Sequence, residues 1–332
     1  MSLKVAINGF GRIGRSILRA LNESGRNDIR VVAVNDLWPT RVCAHLLRFD
    51  SVHGRFAGTV TEGEDWIDIG KGPIRVTAIS NPADLPHSLL EVDLVMECTG
   101  HFTTMEKASG HLTAGAGKVL VSAPVSEADC TVVFGVNQHE IKPDDKIVSN
   151  ASCTTNCLAV VAQVLNESVG IVNGFATTVH SYTGNQPVLD TYHKNLYRAR
   201  AAGLSMIPTT TGAAKAIRLV LPELGSKIDC VAIRVPTPHV SLVDFKFLAE
   251  RQTCPSEIND IIRKAASGKM RDVMSYTDQA NVSCDFRHDP HSAIFHLDQT
   301  AVVGGTLVRV LAWYDNECGF ANRMLDVAAV MK

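Results

Sequence analysis

Hydrophobic residues in the first 150 positions fall into short continuous runs, and amphipathic segments separate several of these runs. The runs are typical of buried β-strands, and the segments over residues 15–23 and 103–116 repeat with the helical period. Alternation of strand and helix predicts a mostly parallel, doubly wound sheet. A hairpin insertion is expected over residues 66–77. The predicted strands of the sheet are residues 4–9, 29–36, 92–98, 118–122, 131–134 and 146–149.

The pattern changes in the second half of the chain. Longer alternating strands follow one another with few helices between them, apart from a helical segment over residues 254–268. Such a pattern predicts a mainly antiparallel sheet with helices on one face. Residues 187–211 show little periodicity, and a loop of this length is typically functional or part of an interface. A last helix over residues 322–331 is expected to return to the first domain. The predicted strands are residues 174–180, 229–236, 240–248 and 303–314.

Composition narrows the class of protein. The chain has 332 residues, of which 45% are hydrophobic and 20% charged, and this indicates a globular protein of two domains. The net charge of −2 argues against a general nucleic-acid or membrane-surface binder. No apolar run approaches the ~18 residues of a membrane span, and the first residues lead directly into a strand, so we expect no signal peptide. Nine scattered cysteines indicate reduced thiols in a cytoplasmic enzyme.

A glycine-rich turn follows the first predicted strand. Gly9 permits the tight turn, Gly11 lets backbone N–H groups approach a pyrophosphate, and Gly14 allows close helix–strand packing. The helix start at Arg12 and Ile13 offers free N–H groups and a positive dipole end to phosphates. Asp36 ends the second strand, where it is placed to accept hydrogen bonds from the adenosine ribose, so NAD is expected over NADP. The alternative is a glycine-rich turn in some other α/β unit.

Two further positions fall at strand ends on the ligand side of such a sheet. Thr99 follows one strand and Ser122 another, and cofactors bind at this edge of doubly wound sheets. We therefore expect a Rossmann-type NAD-binding domain over residues 1–150, completed by the C-terminal helix at about residues 317–332. A catalytic domain with a mainly antiparallel sheet is expected over residues 151–316.

A cysteine lies at a predicted strand-to-helix junction. Residues 146–149 read as a strand, residues 158–169 as a helix, and cap-type residues stand between them. Cys153 therefore falls in the first turn of a helix, where the dipole favours the thiolate and should lower the thiol pKa. The alternative is a buried structural cysteine.

A histidine at the end of a predicted strand completes a possible pair. His180 alone is more often a satisfied strand-end histidine than a catalytic base. A Cys at a helix start, a His at a strand end and a dinucleotide site in one chain together describe covalent aldehyde oxidation.

Six segments of the sequence carry a family resemblance. They resemble motifs of phosphorylating glyceraldehyde-3-phosphate dehydrogenases, and the match is colinear over residues 3–331. The segments are INGFGRIGR (7–15), SNASCTTNC (149–157), HSYT (180–183), IPTTTGAAK (207–215), RVPT (234–237) and WYDNE (313–317).

The resemblance implies a reaction. Cys153 would attack the aldehyde of glyceraldehyde 3-phosphate to give a thiohemiacetal, and His180 would take the hydroxyl proton while hydride passes to NAD. Inorganic phosphate would then cleave the thioester to 1,3-bisphosphoglycerate. The Cys153 backbone N–H and His180 would stabilise the oxyanion. The resemblance implies that the reaction is reversible and serves glycolysis and gluconeogenesis. It also implies a cytoplasmic homotetramer in which residues 187–211 pack next to the cofactors.

The resemblance also assigns binding residues. One group would hold the substrate phosphate, a second the attacking phosphate, and Asn316 the nicotinamide amide; Ser80 would contact the adenine mainly through its backbone. Arg forks and Thr hydroxyls suit phosphate oxygens, whereas the alternatives are ordinary ion pairs and loop caps. The first group is Thr183, Arg198 and Arg234, and the second is Ser152, Thr154, Thr211 and Gly212.

The chain departs from the family pattern at positions away from Cys153 and His180. Residues 184–186 lack an Asp common before the Gln, and Tyr192 stands where many NAD-using members have Pro. Ser80 replaces an Arg. Three other substitutions are Tyr197 for a basic residue, and Cys318 and Phe320 for Trp and Tyr near the nicotinamide. These departures bear on cofactor affinity.

Other readings compete with this one. The nearest is erythrose-4-phosphate dehydrogenase, whose members usually lose the Tyr-Thr after the His and the Thr-Thr-Thr-Gly loop that this chain keeps; residues 288–293 lean towards it. A non-catalytic dinucleotide-binding protein would have lost the nucleophile or the base. Residues 288–291 (HDPH) have a metal-like composition, but Pro290 favours a turn, and no metal site is expected. Cys157, one turn after Cys153, is expected to serve packing, with a stress-induced link to Cys153 as a minor alternative.

Overall fold

A computed structural model describes residues 2–332, which form two compact units. The first comprises residues up to Val132, Gln138–Ala151 and Ala321–Lys332, and the second comprises Val133–Asn137 and Ser152–Phe320. The sequence placed the boundary between residues 150 and 151 and the returning segment at about residue 317. Among residues 2–332, no helix combines the length and the apolarity that crossing a membrane requires.

The first unit is built on a nine-stranded sheet with a small separate hairpin, β3–β4. Its strands are β1 (Leu3–Asn8), β2 (Ile29–Asn35), β3 (Phe49–Asp50), β4 (Gly54–Arg55), β5 (Thr61–Glu62), β6 (Trp66–Asp68), β7 (Pro73–Thr77), β8 (Leu94–Glu97), β9 (Lys118–Val121), β10 (Cys130–Thr131) and β11 (Ile147–Ser149). Its helices are α1 (Arg12–Glu23), α2 (Thr40–Arg48), α3 (Met105–Ala108) and α4 (Gly110–Thr113).

The sheet is doubly wound. The strand order is β10-β11-β9-β8-β1-β2-β7-β6-β5, and every pairing from β10 to β7 is parallel. The chain runs outward from β1 in one direction through β2 and in the other through β8, so the β1/β8 boundary is the topological switch point at which such sheets bind ligands. The hairpin over residues 66–77 adds antiparallel strands at one edge.

Two local expectations for this unit differ from the structure. The helix over residues 103–116 is instead two short segments, Met105–Ala108 and Gly110–Thr113, which are separated by Ser109; Gly110 is a poor helix former. The strand over residues 131–134 ends at Thr131, because the N–H of Val133 bonds the Asn137 side chain at 2.9 Å instead of a neighbouring strand. Helix α1 begins at Arg12, where the sequence predicted the helix start.

The second unit contains an eight-stranded mixed sheet in the order β13-β14-β12-β15-β19-β17-β16, with β18 paired to β19. Most pairings are antiparallel, as predicted, but β12 pairs β14 in parallel, as does β16 with β17. Its strands are β12 (Ile171–Ser181), β13 (Ile207–Thr210), β14 (Ile228–Val235), β15 (Ser241–Ala249), β16 (Met274–Thr277), β17 (Ala293–His296), β18 (Ala301–Val303) and β19 (Leu307–Tyr314).

Helices and 3-10 turns complete the chain. The remaining helices are α5 (Cys153–Val169), α6 (Ala213–Val220), α7 (Pro255–Ser267) and α8 (Cys318–Val330). Helix α5 is buried along most of its length and packs on the mixed sheet through its contacts with β12, β15, β17 and β19. The 3-10 turns are Pro82–Asp84, Gln138–Glu140, Tyr197–Ala199, Pro222–Leu224, Ser283–Phe286 and Leu297–Gln299.

Candidate functional site

The glycine-rich turn of the first unit has the geometry that the sequence predicted for it. Gly9 has a φ of +89°, and a Cβ on it would lie 2.6 Å from the backbone nitrogen of Thr99 at the end of β8. A Cβ on Gly14 would lie 2.2 Å from the Gly9 carbonyl oxygen, whereas one on Gly11 would meet open space. The turn therefore needs glycine at 9 and 14 for close packing, while Gly11 leaves its backbone accessible to a ligand.

A cavity of about 380 Å³ opens at this turn. Asp36 lies at its edge and accepts a hydrogen bond from the Phe10 N–H at 2.7 Å, so its carboxylate is fixed at the end of β2. Of the predicted cofactor residues, Gly9, Gly11, Asp36, Ser80 and Thr99 line this cavity, together with Asn8, Asn35, Leu37, Trp38, Ile79, Cys98, His101 and Phe102. The Asp36 carboxylate suits the ribose hydroxyls of NAD, and the glycine turn with its helix start suits the pyrophosphate.

Other predicted cofactor residues lie outside this lining. Ile13 follows Arg12 in the first turn of α1, and the Arg12 guanidinium forms an ion pair with Asp50. Ser122 follows β9, and its N–H donates to the carbonyl oxygen of Glu97 at 2.9 Å. Arg12 is thus partly engaged within the protein.

A buried polar network that the sequence reasoning missed lies against this cavity. The Glu97 carboxylate, 1% exposed, accepts from the Thr99 N–H at 2.7 Å, from Asn8 Nδ2 at 2.6 Å and from the Thr99 hydroxyl. Asn8 Oδ1 in turn accepts from Asn35 Nδ2 at 2.7 Å, and Asn35 Oδ1 accepts from the Ile79 N–H at 2.9 Å. The network joins the carboxyl ends of β1, β2 and β8 and the segment after β7. Polar residues at the last positions of three strands were the available signal.

In the second unit, Cys153 is the first residue of α5, as predicted. Ser152 is the N-cap, and its hydroxyl oxygen accepts from the Thr155 N–H at 3.2 Å. The Cys153 Sγ lies 3.5 Å from His180 Nε2, a residue 27 positions away at the end of β12. The structure therefore brings the predicted nucleophile and base into contact.

The predicted lowering of the Cys153 pKa is wrong. Burial raises the pKa of the Cys153 thiol, and the Arg234 charge and hydrogen bonds with Thr154 act in the opposite direction without offsetting it. The helix start lowers the cost of the thiolate, as expected, but removing the sulfur from water costs more.

His180 has two neighbours on its other ring nitrogen. Nδ1 lies 2.7 Å from the Ser181 carbonyl oxygen and 2.8 Å from Arg234 Nη1. The parallel register of β12 and β14, in which His180 is paired with Arg234, creates this contact. Burial, and after it the Arg234 charge, lowers the pKa of His180 to about 3, so the ring is neutral at physiological pH.

The predicted phosphate-binding residues form hydrogen bonds with different neighbours. Arg198 donates from Nε to the Thr209 hydroxyl at 3.0 Å and from Nη2 to the Thr210 carbonyl at 3.1 Å, which holds it against β13. Thr183 donates to the Asn185 side chain at 2.7 Å. Thr211 accepts from the Ala213 N–H at 3.2 Å, and Gly212 is the N-cap of α6. The charges of Arg198 and Arg234 both lower the pKa of His180, so both guanidinium groups act on one region.

Tyr314 is a site residue that the sequence reasoning did not single out. Its ring packs edge-on against His180 with centroids 5.9 Å apart. Its hydroxyl oxygen lies 2.9 Å from the Thr154 hydroxyl and 2.8 Å from the Thr178 hydroxyl. The Thr154 side chain is 3% exposed, and its hydroxyl contacts Tyr314. This hydroxyl is therefore not freely available to bind a phosphate. Tyr314 belongs to the WYDNE motif, and that was the signal for it.

Asn316 is fixed by two serines. Its Oδ1 accepts from the Ser181 hydroxyl at 2.9 Å and from the Ser241 hydroxyl at 3.2 Å. Because both hydroxyls donate to the oxygen, the amide orientation is defined by the protein, and Nδ2 is its remaining donor group. Neither serine was identified from the sequence.

Comparisons with known proteins match both halves of the chain to one family. A family model described as glyceraldehyde 3-phosphate dehydrogenase, NAD binding domain, matches residues 3–105, and one described as glyceraldehyde 3-phosphate dehydrogenase, C-terminal domain, matches residues 152–316. The chain is 63% identical to the glyceraldehyde-3-phosphate dehydrogenase of Xanthobacter flavus over 100% of this chain and 99% of the relative. With the same coverage, identity is 62% to that of Cereibacter sphaeroides and 56% to that of Zymomonas mobilis.

Proposed function

The chain belongs to the glyceraldehyde-3-phosphate dehydrogenase family, and we propose that Cys153 and His180 carry out its NAD-dependent oxidation of D-glyceraldehyde 3-phosphate to 1,3-bisphosphoglycerate. The 3.5 Å contact between the Cys153 Sγ and His180 Nε2 is the observation that carries this assignment. A nucleophile and a base in hydrogen-bonding contact are what a covalent aldehyde oxidation requires.

The chain supplies the nucleophile, Cys153, and the base, His180. The Cys153 sulfur forms a C–S bond to the aldehyde carbon as the C=O π bond breaks, and the thiol proton passes to the carbonyl oxygen, which becomes the hydroxyl of a thiohemiacetal. His180 Nε2 accepts that hydroxyl proton as a thioester forms on Cys153. NAD, when bound, supplies the acceptor for the hydride that leaves the same carbon. Inorganic phosphate then attacks the thioester carbon, and the Cys153 sulfur leaves.

Charged and polar groups account for substrate recognition in this proposal. Arg234 and Arg198 neutralise the substrate phosphate with Thr183 beside them, because guanidinium groups match phosphate oxygens geometrically. Ser152, Thr211 and Gly212 are assigned to the attacking inorganic phosphate. The Thr154 hydroxyl is not assigned to this phosphate, because it contacts Tyr314. Asn316 Nδ2 is assigned to the carboxamide oxygen of the nicotinamide.

Residues of the first unit are assigned to the rest of NAD. The turn at Gly9, Gly11 and Gly14 and the helix start at Arg12 and Ile13 suit the pyrophosphate, and Asp36 suits the adenosine ribose. Ser80, Thr99 and Ser122 complete the assigned set. The support is the open backbone at Gly11 and the fixed Asp36 carboxylate at the cavity edge.

A cytoplasmic homotetramer is the second part of the proposal. Between residues 187 and 206, seven large apolar or aromatic side chains are exposed on the single chain: Val188, Leu189, Tyr192, Leu196, Tyr197, Leu204 and Met206. Exposed apolar patches of this kind mark association surfaces. Sedimentation equilibrium should give about four times the 35.8 kDa chain mass, and a monomer would contradict the proposal.

The decisive assay measures initial NADH formation with glyceraldehyde 3-phosphate, with and without inorganic phosphate, and with erythrose 4-phosphate. We expect a phosphate-dependent rate that favours the three-carbon substrate and is lost in Cys153→Ser but retained in Cys157→Ser. A phosphate-independent rate that favours erythrose 4-phosphate would overturn the phosphate-site assignments. Full activity in Cys153→Ser would overturn the nucleophile.

A further inference from the structure

The protein holds Arg198 along one edge of its guanidinium group. Arg198 Nε donates to the Thr209 hydroxyl at 3.0 Å, and Nη2 donates to the Thr210 carbonyl oxygen at 3.1 Å. Both distances are normal hydrogen-bond lengths. The Nε–H and one Nη2–H of an arginine point the same way from one edge of the planar group, so strand β13 occupies that edge.

The other end of the guanidinium keeps its donors. Within the described part of the chain, no side-chain hydrogen bond of Arg198 involves Nη1 or the second hydrogen of Nη2. These two nitrogens form the fork that matches two oxygens of a phosphate. The contacts with β13 therefore aim the Nη1/Nη2 end of Arg198 away from the strand without using it.

Both acceptors on β13 are electrically neutral. Among residues 2–332, no carboxylate pairs with Arg198, whereas Arg200 pairs with Asp190 at 2.7 Å. A carboxylate would orient the guanidinium as well as a hydroxyl does, but it would offset the positive charge. A hydroxyl and a backbone carbonyl fix the direction of Arg198 and leave its charge to attract an anion.

The charge of Arg198 acts on the groups proposed for the reaction. Burial lowers the pKa of Arg234, and the like charge of Arg198 acts in the same direction. The Arg198 charge also lowers the pKa of His180, after burial and the charge of Arg234. A phosphate dianion in contact with both guanidinium groups would offset their repulsion.

The β13–β14 pairing sets the spacing of the two arginines. Arg234 lies on β14 opposite Ile207, and Thr209 lies two positions along β13, opposite Ala232. Arg198 itself lies on the short 3-10 turn Tyr197–Ala199, which packs against β13. Its guanidinium is thus registered to Arg234 through the hydrogen bonds with β13, of which the Thr209 hydroxyl provides the only side-chain acceptor.

We propose that Thr209 is a positioning residue for the substrate phosphate, and that its hydroxyl anchors Arg198 Nε to β13 so that the Nη1/Nη2 fork faces the phosphate beside Arg234. Thr209 acts through Arg198 and does not itself contact the phosphate. It thereby contributes to the preference for a phosphorylated aldehyde over an unphosphorylated one. This inference rests on the proposed function, because it uses Arg198 and Arg234 as phosphate ligands.

Thr209→Val tests the anchor, because valine has the shape of threonine but no acceptor for Nε. Losing one hydrogen bond to a charged group should lower kcat/KM for glyceraldehyde 3-phosphate roughly tenfold. The loss should appear mainly in KM, since the phosphate does not react in the hydride-transfer step. With unphosphorylated glyceraldehyde, kcat/KM should equal the wild-type value, and this retained activity also shows that the variant is folded.

Two further single variants serve as rescue and control. Thr209→Ser keeps the hydroxyl, so we expect wild-type kinetics with both aldehydes. Thr177→Val makes the same substitution at a half-buried threonine of β12 whose side chain forms no hydrogen bond in the part of the chain that the structure describes. It should leave both substrates unaffected.

A double-mutant cycle tests whether Thr209 acts through Arg198. Arg198→Met should lower kcat/KM for glyceraldehyde 3-phosphate, and adding Thr209→Val to it should cause no further loss. A further roughly tenfold loss in the double variant would show that the hydroxyl contacts the phosphate directly, and this would overturn the inference.

The remaining outcomes separate this inference from the proposed function. Wild-type kinetics in Thr209→Val, or an equal loss with both aldehydes, would overturn the anchor and leave the proposed function standing. A wild-type protein that forms no NADH with glyceraldehyde 3-phosphate would overturn the proposed function. Calorimetric titration with glycerol 3-phosphate would then decide the inference: roughly tenfold weaker binding by Thr209→Val would support it, and equal binding would overturn it.

Discussion

The Glu97 Oε2 lies 3.0 Å from His111 Nε2, and both side chains are almost completely buried. The carboxylate also accepts from Asn8 and from the backbone and hydroxyl of Thr99, while His111 Nδ1 lies 3.0 Å from His87 Nε2. A buried carboxylate is tolerated only when donors surround it. These donors come from separate elements, so Glu97 fixes their positions relative to one another beside the cofactor cavity.

Glu97→Gln should weaken NAD binding. The amide replaces one carboxylate oxygen with an N–H group, so at least one donor of the network faces another donor. Losing one charge-assisted hydrogen bond corresponds to roughly a tenfold rise in the NAD dissociation constant. Fluorescence titration measures it. Glu91→Gln, at an exposed ion pair with Lys4, is the control and should bind NAD as the wild type does; equal dissociation constants for both variants would contradict the role of Glu97.

Gly14→Ala and Gly11→Ala should separate folding from binding. The new Cβ at position 14 meets the Gly9 carbonyl oxygen at 2.2 Å, so the backbone must shift and the melting temperature should fall by several degrees. The Cβ at position 11 meets no protein atom within 4 Å, so Gly11→Ala should retain the melting temperature while losing NAD affinity. Calorimetry and NAD titration test both. A wild-type melting temperature for Gly14→Ala would refute the packing argument.

Arg234→Met should raise the pKa of Cys153 further. The Arg234 charge favours the thiolate and is the main opposition to burial, which already raises this pKa. Removing the charge reduces the thiolate fraction at neutral pH, so alkylation by iodoacetamide should slow and its pH midpoint should move upward. Arg309→Met, which disrupts an ion pair with Asp244, should leave the midpoint where it is. A downward shift in Arg234→Met would reverse the sign assigned to Arg234.

Tyr314→Phe should destabilise the second unit. The hydroxyl of Tyr314 is the partner of the Thr154 and Thr178 hydroxyls, all of them buried. Two buried hydroxyls without that partner should lower the free energy of unfolding by about 1–3 kcal/mol. Urea unfolding measures the change. Tyr276→Phe, at a half-exposed ring, is the matched control with little expected effect. Equal stability of the two variants would mean that the threonines find other partners.

Local pattern was sufficient for the parts of the molecule that depend on neighbours in sequence. Residue spacing alone predicted the first unit of the sheet, which consists of a strand, the glycine turn, a helix and a second strand that ends at Asp36. The prediction succeeded because the turn geometry and the helix start are set within about 30 residues. The Ser152 cap and the first-turn place of Cys153 followed for the same reason. The doubly wound and mainly antiparallel sheets followed from the order of strands and helices.

Only the tertiary structure decided what lies next to the reactive groups. Arg234 reaches His180 across 54 positions because β12 and β14 pair in parallel, and nothing in the sequence fixes that register. Glu97 meets Asn8 across 89 positions for a similar reason. The pKa of Cys153 shows the limit most clearly. The helix start that the sequence predicts favours the thiolate, but the desolvation that opposes it depends on every element packed around the sulfur, and that packing exists only in the fold.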